Sequence, residues 1–135
     1  MSRVLALDIG TVRIGAAISD PTRTIAQGLG VWKAETWHDD FDAAMRKYEP
    51  AIVIVGLPLR TDGKNSEAAE RITAIVDGLR TEYPECEFVL HDERFTTVIA
   101  HQAMLEADTS RRKRKKNVDK VAAVLILESW LEANR

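Results

Sequence analysis

The stretch "ALDIGTVRIGAAISD", residues 6–20, decides the fold of this 135-residue chain. It continues an apolar run from Val4 to Ile9, whose branched side chains are typical of a strand covered on both faces. The segment GTVR then permits a tight reversal, and the small apolar residues from Ile14 to Ile18 predict a second strand paired with the first. Asp8 does not fit this pattern, because it places a charged carboxylate near the end of an otherwise apolar strand.

The residues that follow predict one more antiparallel strand and then alternating helices and strands. The third strand is predicted over residues 25–32, and a helix capped by Thr36 ends before Pro50. Strands in AIVIVGLP (51–58) and CEFVLHDE (86–93) are separated by a helix capped by Asn65 or Ser66. Parallel strands require crossover helices, which cover the sheet. We therefore expect an α/β fold with a mixed five-stranded sheet, three antiparallel strands and then two parallel ones, flanked by helices.

The C-terminal third predicts two further helices, in RFTTVIAHQAMLE (94–106) and NVDKVAAVLILESWLEA (117–133). Between them lie six consecutive basic residues, 111–116, predicted as a loop whose like charges would repel one another unless a bound anion neutralised them. In the last helix Ala122, Ala123 and Ile126 share the face of Asp119, and they predict that this face packs on the sheet.

Composition limits the classes of protein to consider. A chain of 135 residues with 45% hydrophobic content predicts a single domain over residues 1–135. The net charge of −2 argues against a protein that coats nucleic acid through bulk charge, so any such contact must be local. Cys86 is the single cysteine, and no apolar run resembles a signal peptide or a membrane span. We expect a cytoplasmic protein that does not bind membranes.

Acidic side chains stand at the ends of predicted elements where a core would not require them. Asp8 ends the first strand, Asp92 and Glu93 end the fifth, and Asp119 opens the last helix. In open α/β sheets ligands bind beyond the carboxyl ends of the strands. Carboxylates drawn together there repel one another unless a cation neutralises them, and Mg²⁺ or Mn²⁺ prefers oxygen ligands. Candidate catalytic metal ligands are Asp8, Glu93 and Asp119.

Each acid taken alone has a simpler interpretation. Asp8 could cap the turn before Gly10, Glu93 could pair with Arg94, and Asp119 could favour the positive end of a helix dipole. Only the convergence of all three makes a site that activates water and stabilises a leaving oxygen in phosphodiester hydrolysis.

Four motifs together resemble the YqgF/RuvX family, whose members are bacterial proteins of the RNase H-like fold related to the Holliday-junction resolvase RuvC. They are ALDIGTVRIGAAISD, IVIVGLPLRTDG, DERFTT and NVDKVAAVLILESWL, and they span nearly the whole chain. The resemblance implies the fold predicted above and a metal-dependent nuclease that matures the 5′ end of precursor 16S rRNA during ribosome biogenesis. It assigns the family acids to Asp8, Glu93 and Asp119, with Asp92 as the alternate to Glu93.

Basic and polar residues provide candidate contacts with a phosphate backbone. Arg13 on the predicted hairpin and Arg94 beside the proposed ligands could bind phosphate oxygens in a forked arrangement, although structural ion pairs would equally explain them. Lys64 and Asn65 precede a helix amino terminus, which favours anions. The basic run precedes Asp119, so substrate contact is favoured over a merely solvated loop. Its members are Arg111, Arg112, Lys113, Arg114, Lys115 and Lys116.

Other functions remain open from the sequence. The motif DIGT also resembles the first phosphate loop of actin-like ATPases and sugar kinases, but this chain is too short to supply their two domains. A noncatalytic module that binds nucleic acid or a transcription factor would not need the acid set. Branched DNA, as in a Holliday-junction resolvase, is the alternative substrate to precursor rRNA, because metal chemistry at a phosphodiester does not distinguish the polymers. Expected partners are the nucleic acid and an assembling ribosomal particle, with the protein a monomer or a homodimer.

Overall fold

The computed structural model describes residues 2–58, 66–92 and 111–134, and for residues 111–120 only the backbone. In these ranges the strands form one five-stranded sheet in the order β3-β2-β1-β4-β5. The first three strands are antiparallel neighbours, and β1, β4 and β5 run parallel. This confirms the predicted mixed sheet. Its strands are β1 (Val4–Ile9), β2 (Arg13–Ser19), β3 (Ala26–Lys33), β4 (Ile52–Leu57) and β5 (Glu87–Asp92).

Two helices cover one face of the sheet. Helix α1 spans Trp37–Tyr48 and α2 spans Glu67–Glu82, and both contribute buried apolar residues to one core cluster. Ser66 caps α2 by accepting a hydrogen bond of 3.1 Å from the backbone N–H of Ala69, as predicted. The predicted apolar line of α2 is buried along its length, with Ala69, Ile72, Val76 and Leu79 all less than 3% exposed.

Helix α3, Arg111–Ala133, covers the opposite face. The predicted loop over residues 111–116 is therefore wrong: the basic run forms the first turns of this helix, which starts six residues before Asn117. Arg and Lys are good helix formers, and no Gly or Pro interrupts the chain from residue 107 to its end. Ala122, Ala123 and Ile126 are buried as predicted. The helix predicted over residues 94–106 lies outside the described residues.

Strand alternation assigns the side chains of β1 to two separate core clusters. Leu5, Leu7 and Ile9 pack with α1 and α2, whereas Val4 and Ala6 pack with the buried residues of α3. Because successive side chains of a strand point to opposite faces, Asp8 shares the α3 face with Val4 and Ala6. The carboxylate therefore lies on the α3 face of the sheet, at the carboxyl end of β1.

Candidate active site

A tight turn between β1 and β2 fixes the position of Asp8. The backbone N–H of Gly10 donates a hydrogen bond of 2.9 Å to the carbonyl oxygen of Arg13. A Cβ atom on residue 10 would approach that same oxygen to 2.7 Å, so the turn requires glycine for reasons of space. Beyond the turn, Asp8 is the register partner of Gly15 on β2. The hairpin holds this half-buried carboxylate at the end of the sheet where the carboxyl ends of the parallel strands β1, β4 and β5 lie.

Glycines flank Asp8 on both neighbouring strands. Gly15 lies opposite it on β2. On β4 the residue beside it is Gly56, since Val55 is the partner of Leu7 and Gly56 follows Val55. Neither glycine has a side chain, so the sheet surface on each side of the carboxylate consists of backbone alone.

The end of β5 places its two polar residues on opposite faces. His91 is the partner of Gly56, and its Nε2 lies 3.1 Å from Oγ of Ser129 on α3, so it shares the face of Asp8. Burial lowers the pKa of His91 below its ordinary value of 6.5, opposed by the negative charge of Asp92. Asp92 is the partner of Leu57, which packs with α1 and α2. Asp92 therefore lies on the face opposite to Asp8.

Several predicted site residues fall beyond what the structure describes. Glu93, Arg94, Lys64 and Asn65 lie outside the described residues, and for Asp119 and the six basic residues only the backbone of α3 is described. Among the described residues no three His, Cys, Asp or Glu side chains come together as a metal site. Of the three predicted ligands only Asp8 has a described side chain, so the set stays a prediction.

Lys33 is a candidate contact that the sequence analysis missed. It is the last residue of β3 and the register partner of Arg13 on β2. Arg13 is two residues before Gly15, the partner of Asp8, so both cations belong to the α3 face. The predicted third strand stopped at residue 32, and the pairing of Lys33 with Arg13 follows only from the register of β3 on β2.

The tryptophans and the cysteine belong to the structural core. Trp37 is buried, and Trp32 and Trp130 are partly buried against the two core clusters. Cys86 directly precedes β5, at the amino ends of the parallel strands and therefore at the end of the sheet far from Asp8, and it forms no disulfide. Burial raises the pKa of its thiol to about 11, assisted by the charge of Glu87, so this thiol is no nucleophile for chemistry at Asp8.

The described ranges contain no helix with the length and apolar character needed to cross a bilayer.

Comparison with known proteins relates nearly the whole chain to nucleases. A family model described as RuvX, Holliday junction resolvase, matches residues 2–133. A protein of Halalkalibacterium halodurans named "Putative pre-16S rRNA nuclease" is 38% identical over 135 residues, with 96% of each chain covered. A protein of the same name from Clostridium tetani is 41% identical over 134 residues, covering 97% of this chain and 96% of the relative.

Two solved structures share the fold at low sequence identity. T. thermophilus RuvC in complex with Holliday junction substrate has a TM-score of 0.59 at 14% identity, covering 99% of this chain and 96% of that one. The yeast mitochondrial Holliday junction resolvase has a TM-score of 0.57 at 12% identity, with 96% and 78% covered. The fold is therefore RNase H-like.

Proposed function

This chain belongs to the RuvX family of nucleases, and we propose that it is a divalent-metal-dependent hydrolase that cleaves phosphodiester bonds in 5′ end maturation of precursor 16S rRNA. Residues 1–135 act as a single nuclease domain in the cytoplasm, on an rRNA precursor that is free or held in an assembling ribosomal particle. The cofactor is Mg²⁺ or Mn²⁺.

The position of Asp8 carries this proposal. Its carboxylate stands at the common end of three parallel strands, with backbone alone on each side. Carboxylate oxygens are the donors that hard divalent cations prefer, and the flanking Gly15 and Gly56 add no side chain beside the carboxylate. When bound, such an ion activates a water molecule and stabilises the leaving oxygen of the phosphodiester. The residues present therefore fit the cation that the family implies.

We assign the remaining ligands to Glu93 and Asp119. Asp92 lies on the face opposite to Asp8, and alternation along a continuing strand would return residue 93 to the face of Asp8. This favours Glu93 over Asp92. Asp119 belongs to α3, and the buried residues of that helix pack beside Val4 and Ala6 on the same face. Asp8, Glu93 and Asp119 would then hold the metal and orient the attacked phosphate.

Basic residues around this face bind the nucleic-acid backbone in the proposal. The helical backbone of residues 111–116 makes the basic run a preformed segment of α3. Release of counterions from the substrate would make its binding strongly dependent on salt. Arg13 contributes from the hairpin at the edge where Asp8 lies. Lys64, Asn65 and Arg94 are assigned to the same role from the sequence.

Precursor rRNA is favoured over branched DNA as the substrate. The relatives that are 38% and 41% identical over nearly their whole length carry the rRNA nuclease name. The RuvC complex with a Holliday junction is only 14% identical, which supports a common fold alone. Junction DNA remains the second candidate, because the matching family model is described as a Holliday junction resolvase.

The proposal is tested with wild-type protein and the Asp8→Asn variant, which keeps the shape of the side chain and removes its charge. Both are incubated with precursor 16S rRNA, single-stranded RNA and four-way DNA junctions, with Mg²⁺, Mn²⁺ or EDTA. We expect rRNA cleavage by the wild type with metal only, and at least a 100-fold loss in the variant with an unchanged circular dichroism spectrum. The matched control is Asp77→Asn, on the exposed face of α2. Full activity of Asp8→Asn, or cleavage in EDTA, would reject the metal role.

A further inference from the structure

A groove opens between the carboxyl ends of α1 and α2, at the end of the sheet far from Asp8. Ala51 directly precedes β4 and Cys86 directly precedes β5, and both line the groove. Its volume is about 600 Å³, within the size range of ligand sites, about 300–1,000 Å³. Six of its eleven lining residues are apolar, aromatic or a thiol, and most of these are buried or half-buried, which gives the groove an apolar floor: Met45, Pro50, Ala51, Tyr83, Pro84 and Cys86.

Hydrogen bonds hold the walls of the groove in place. The hydroxyl of Tyr83 donates to Oδ1 of Asp42 at 3.0 Å and joins the end of α2 to α1. Burial raises the pKa of Tyr83 to about 12, helped by this hydrogen bond and the charge of Asp42, so the hydroxyl stays a donor. The backbone N–H of Cys86 donates to the carbonyl oxygen of Tyr83 at 3.1 Å, and that of Glu87 donates to Ala51 at 3.0 Å. The groove is therefore preformed, and a ligand would need little ordering of the backbone.

The rim of the groove carries an excess of negative charge. Its charged lining residues are Asp42, Arg46, Glu49, Glu82 and Glu85, so four carboxylates against one guanidinium leave three negative charges. The guanidinium is already neutralised, because Nε of Arg46 lies 3.0 Å from Oδ2 of Asp42. Glu49, Glu82 and Glu85 are exposed, and no cation in the part of the chain that the structure describes forms an ion pair with them.

The other cations at the carboxyl ends of the two helices do not line the groove. They are Lys47 in the last turn of α1 and Arg80 in the last turn of α2. The ammonium of Lys47 lies 5.2 Å from the centre of the Tyr48 ring, and Arg80 donates a hydrogen bond of 3.1 Å to Asp77. Both helices end at the groove, so the negative ends of their dipoles add to the charge of its carboxylates. This potential favours a positively charged ligand.

We propose that this groove docks a basic segment of a partner protein, with an apolar side chain on its floor and lysine or arginine side chains beside Glu49, Glu82 and Glu85. The apolar floor favours a protein segment over a free cation, and the carboxylates would repel the phosphates of a nucleic acid. The groove lies at the amino ends of β4 and β5, whereas Asp8 lies at the carboxyl end of the sheet. A partner docked here leaves the Asp8 end open, and the inference does not depend on the proposed function.

The first test measures the binding of a short capped peptide of lysine, arginine and serine with central leucines, labelled with a fluorophore. It is titrated at low salt into wild type, Glu82→Gln/Glu85→Gln and Glu67→Gln/Glu70→Gln. The second double variant is the matched control, because Glu67 and Glu70 are exposed acids in the first turn of α2, far from the groove. We expect the groove variant to weaken binding by about fivefold, the effect of two exposed ion pairs, and the control by less than about twofold. Replacing the leucines of the peptide with glycine should weaken binding by about tenfold, through loss of the apolar contact.

The second test locates the peptide with Cys86, the single cysteine of the chain. Its half-buried thiol lines the groove, so a docked peptide should cover it. The rate of alkylation by a maleimide is measured with saturating leucine peptide and, at the same concentration, with the glycine peptide or spermidine. We expect the leucine peptide to slow alkylation by about tenfold and spermidine to change it by less than about twofold, with the glycine peptide between them.

Several outcomes would overturn the docking of a basic protein segment. Absence of peptide binding, equal loss of affinity in both double variants, or an unprotected Cys86 would each remove the groove as its site. Protection by spermidine equal to that by the leucine peptide would assign the groove to small cations instead. Self-association of the wild type in sedimentation, lost in Glu82→Gln/Glu85→Gln, would assign it to a second copy of this chain. None of these measurements uses cleavage, so their result and that of the nuclease assay are independent.

Discussion

Replacing Gly10 with alanine should damage both stability and activity, because the turn that carries Asp8 has no space for a side chain. The added Cβ would lie 2.7 Å from the carbonyl oxygen of Arg13, whereas ordinary contacts of this kind begin near 3.4 Å. The obstacle is backbone, so the strands themselves must separate by about 0.7 Å, the difference between those two distances. The shift also stretches the hydrogen bond from the N–H of Gly10 to the same oxygen.

The expected loss of stability follows from these two effects. Overpacking costs typically 1–3 kcal/mol, and a backbone hydrogen bond contributes about 1 kcal/mol net, so we expect a loss of about 2–4 kcal/mol. With an unfolding entropy of about 2.1 cal/mol/K per residue, this lowers the Tm of a chain of this size by about 7–14 °C. Cleavage well below the Tm should fall at least tenfold, since Asp8 and Arg13 both depend on the turn.

Gly78 provides a matched control of opposite sign. It is an exposed glycine inside α2, and an added Cβ there would meet no atom within 4 Å. Gly78→Ala should therefore raise the Tm by about 2–4 °C, because alanine is a better helix former by about 0.5–1 kcal/mol. Differential scanning calorimetry and rRNA cleavage of both variants make the measurement. A Gly10→Ala protein with wild-type Tm and activity would refute the steric argument.

Two further predictions concern titrating groups away from the proposed site. Burial raises the pKa of Cys86 from 9.0 to about 11. Because the thiolate is the reacting form, at pH 8 the folded protein should react with a disulfide reagent about 100-fold more slowly than the chain in urea. Equal rates would contradict the burial of the thiol. Hydrogen bonds from the backbone N–H of Ile25, the hydroxyl of Thr22 and the N–H of Thr24 lower the pKa of Asp20 to about 2 from 3.8. A depressed carboxyl pKa stabilises the fold above pH 3.8, and this contribution is lost as the pH falls towards 2. In urea unfolding, the free energy of unfolding of wild type should therefore exceed that of Asp20→Asn by a constant amount near pH 6, and the difference should shrink between pH 4 and 2. A constant difference down to pH 2 would show that these hydrogen bonds do not favour the charged carboxylate.

Local patterns predicted the elements well where sequence and packing agree. The run from Val4 to Ile9 is β1 with the predicted bounds, since buried branched residues leave no alternative. Ser66 caps α2 because its hydroxyl meets the Ala69 N–H at the predicted place. The start of α3 differs from the prediction because Arg and Lys are good helix formers, so the helix continues through the basic run. The strand β3 extends one residue past its predicted end, to Lys33, which pairs with Arg13.

The site was less accessible to sequence reasoning because it depends on which face each residue occupies. The sequence shows that Asp92 and Glu93 are adjacent, but only the register of β5 on β4 assigns Asp92 to the α1 and α2 side. Likewise nothing local indicates that Lys33 faces Arg13 from residues twenty positions away. The flanking Gly15 and Gly56 read as simple breaks in apolar runs until pairing places both beside Asp8.

The two faces of the sheet carry unequal shares of the core, and this bears on how the chain tolerates a charged site. Among the described residues, the cluster with α1 and α2 contains fifteen buried members and that with α3 contains eight. Within the described ranges, most of the buried apolar side chains therefore lie on the face opposite to Asp8. The described part of the α3 face carries polar features: a half-buried carboxylate, two glycines beside it and the cations Arg13 and Lys33. Substitutions on the Asp8 face that keep the hairpin backbone, such as Asp8→Asn and Lys33→Ala, should consequently change binding and cleavage far more than stability. Substitutions at Leu5 or Leu7 should instead lower the free energy of unfolding far more than they change binding or cleavage.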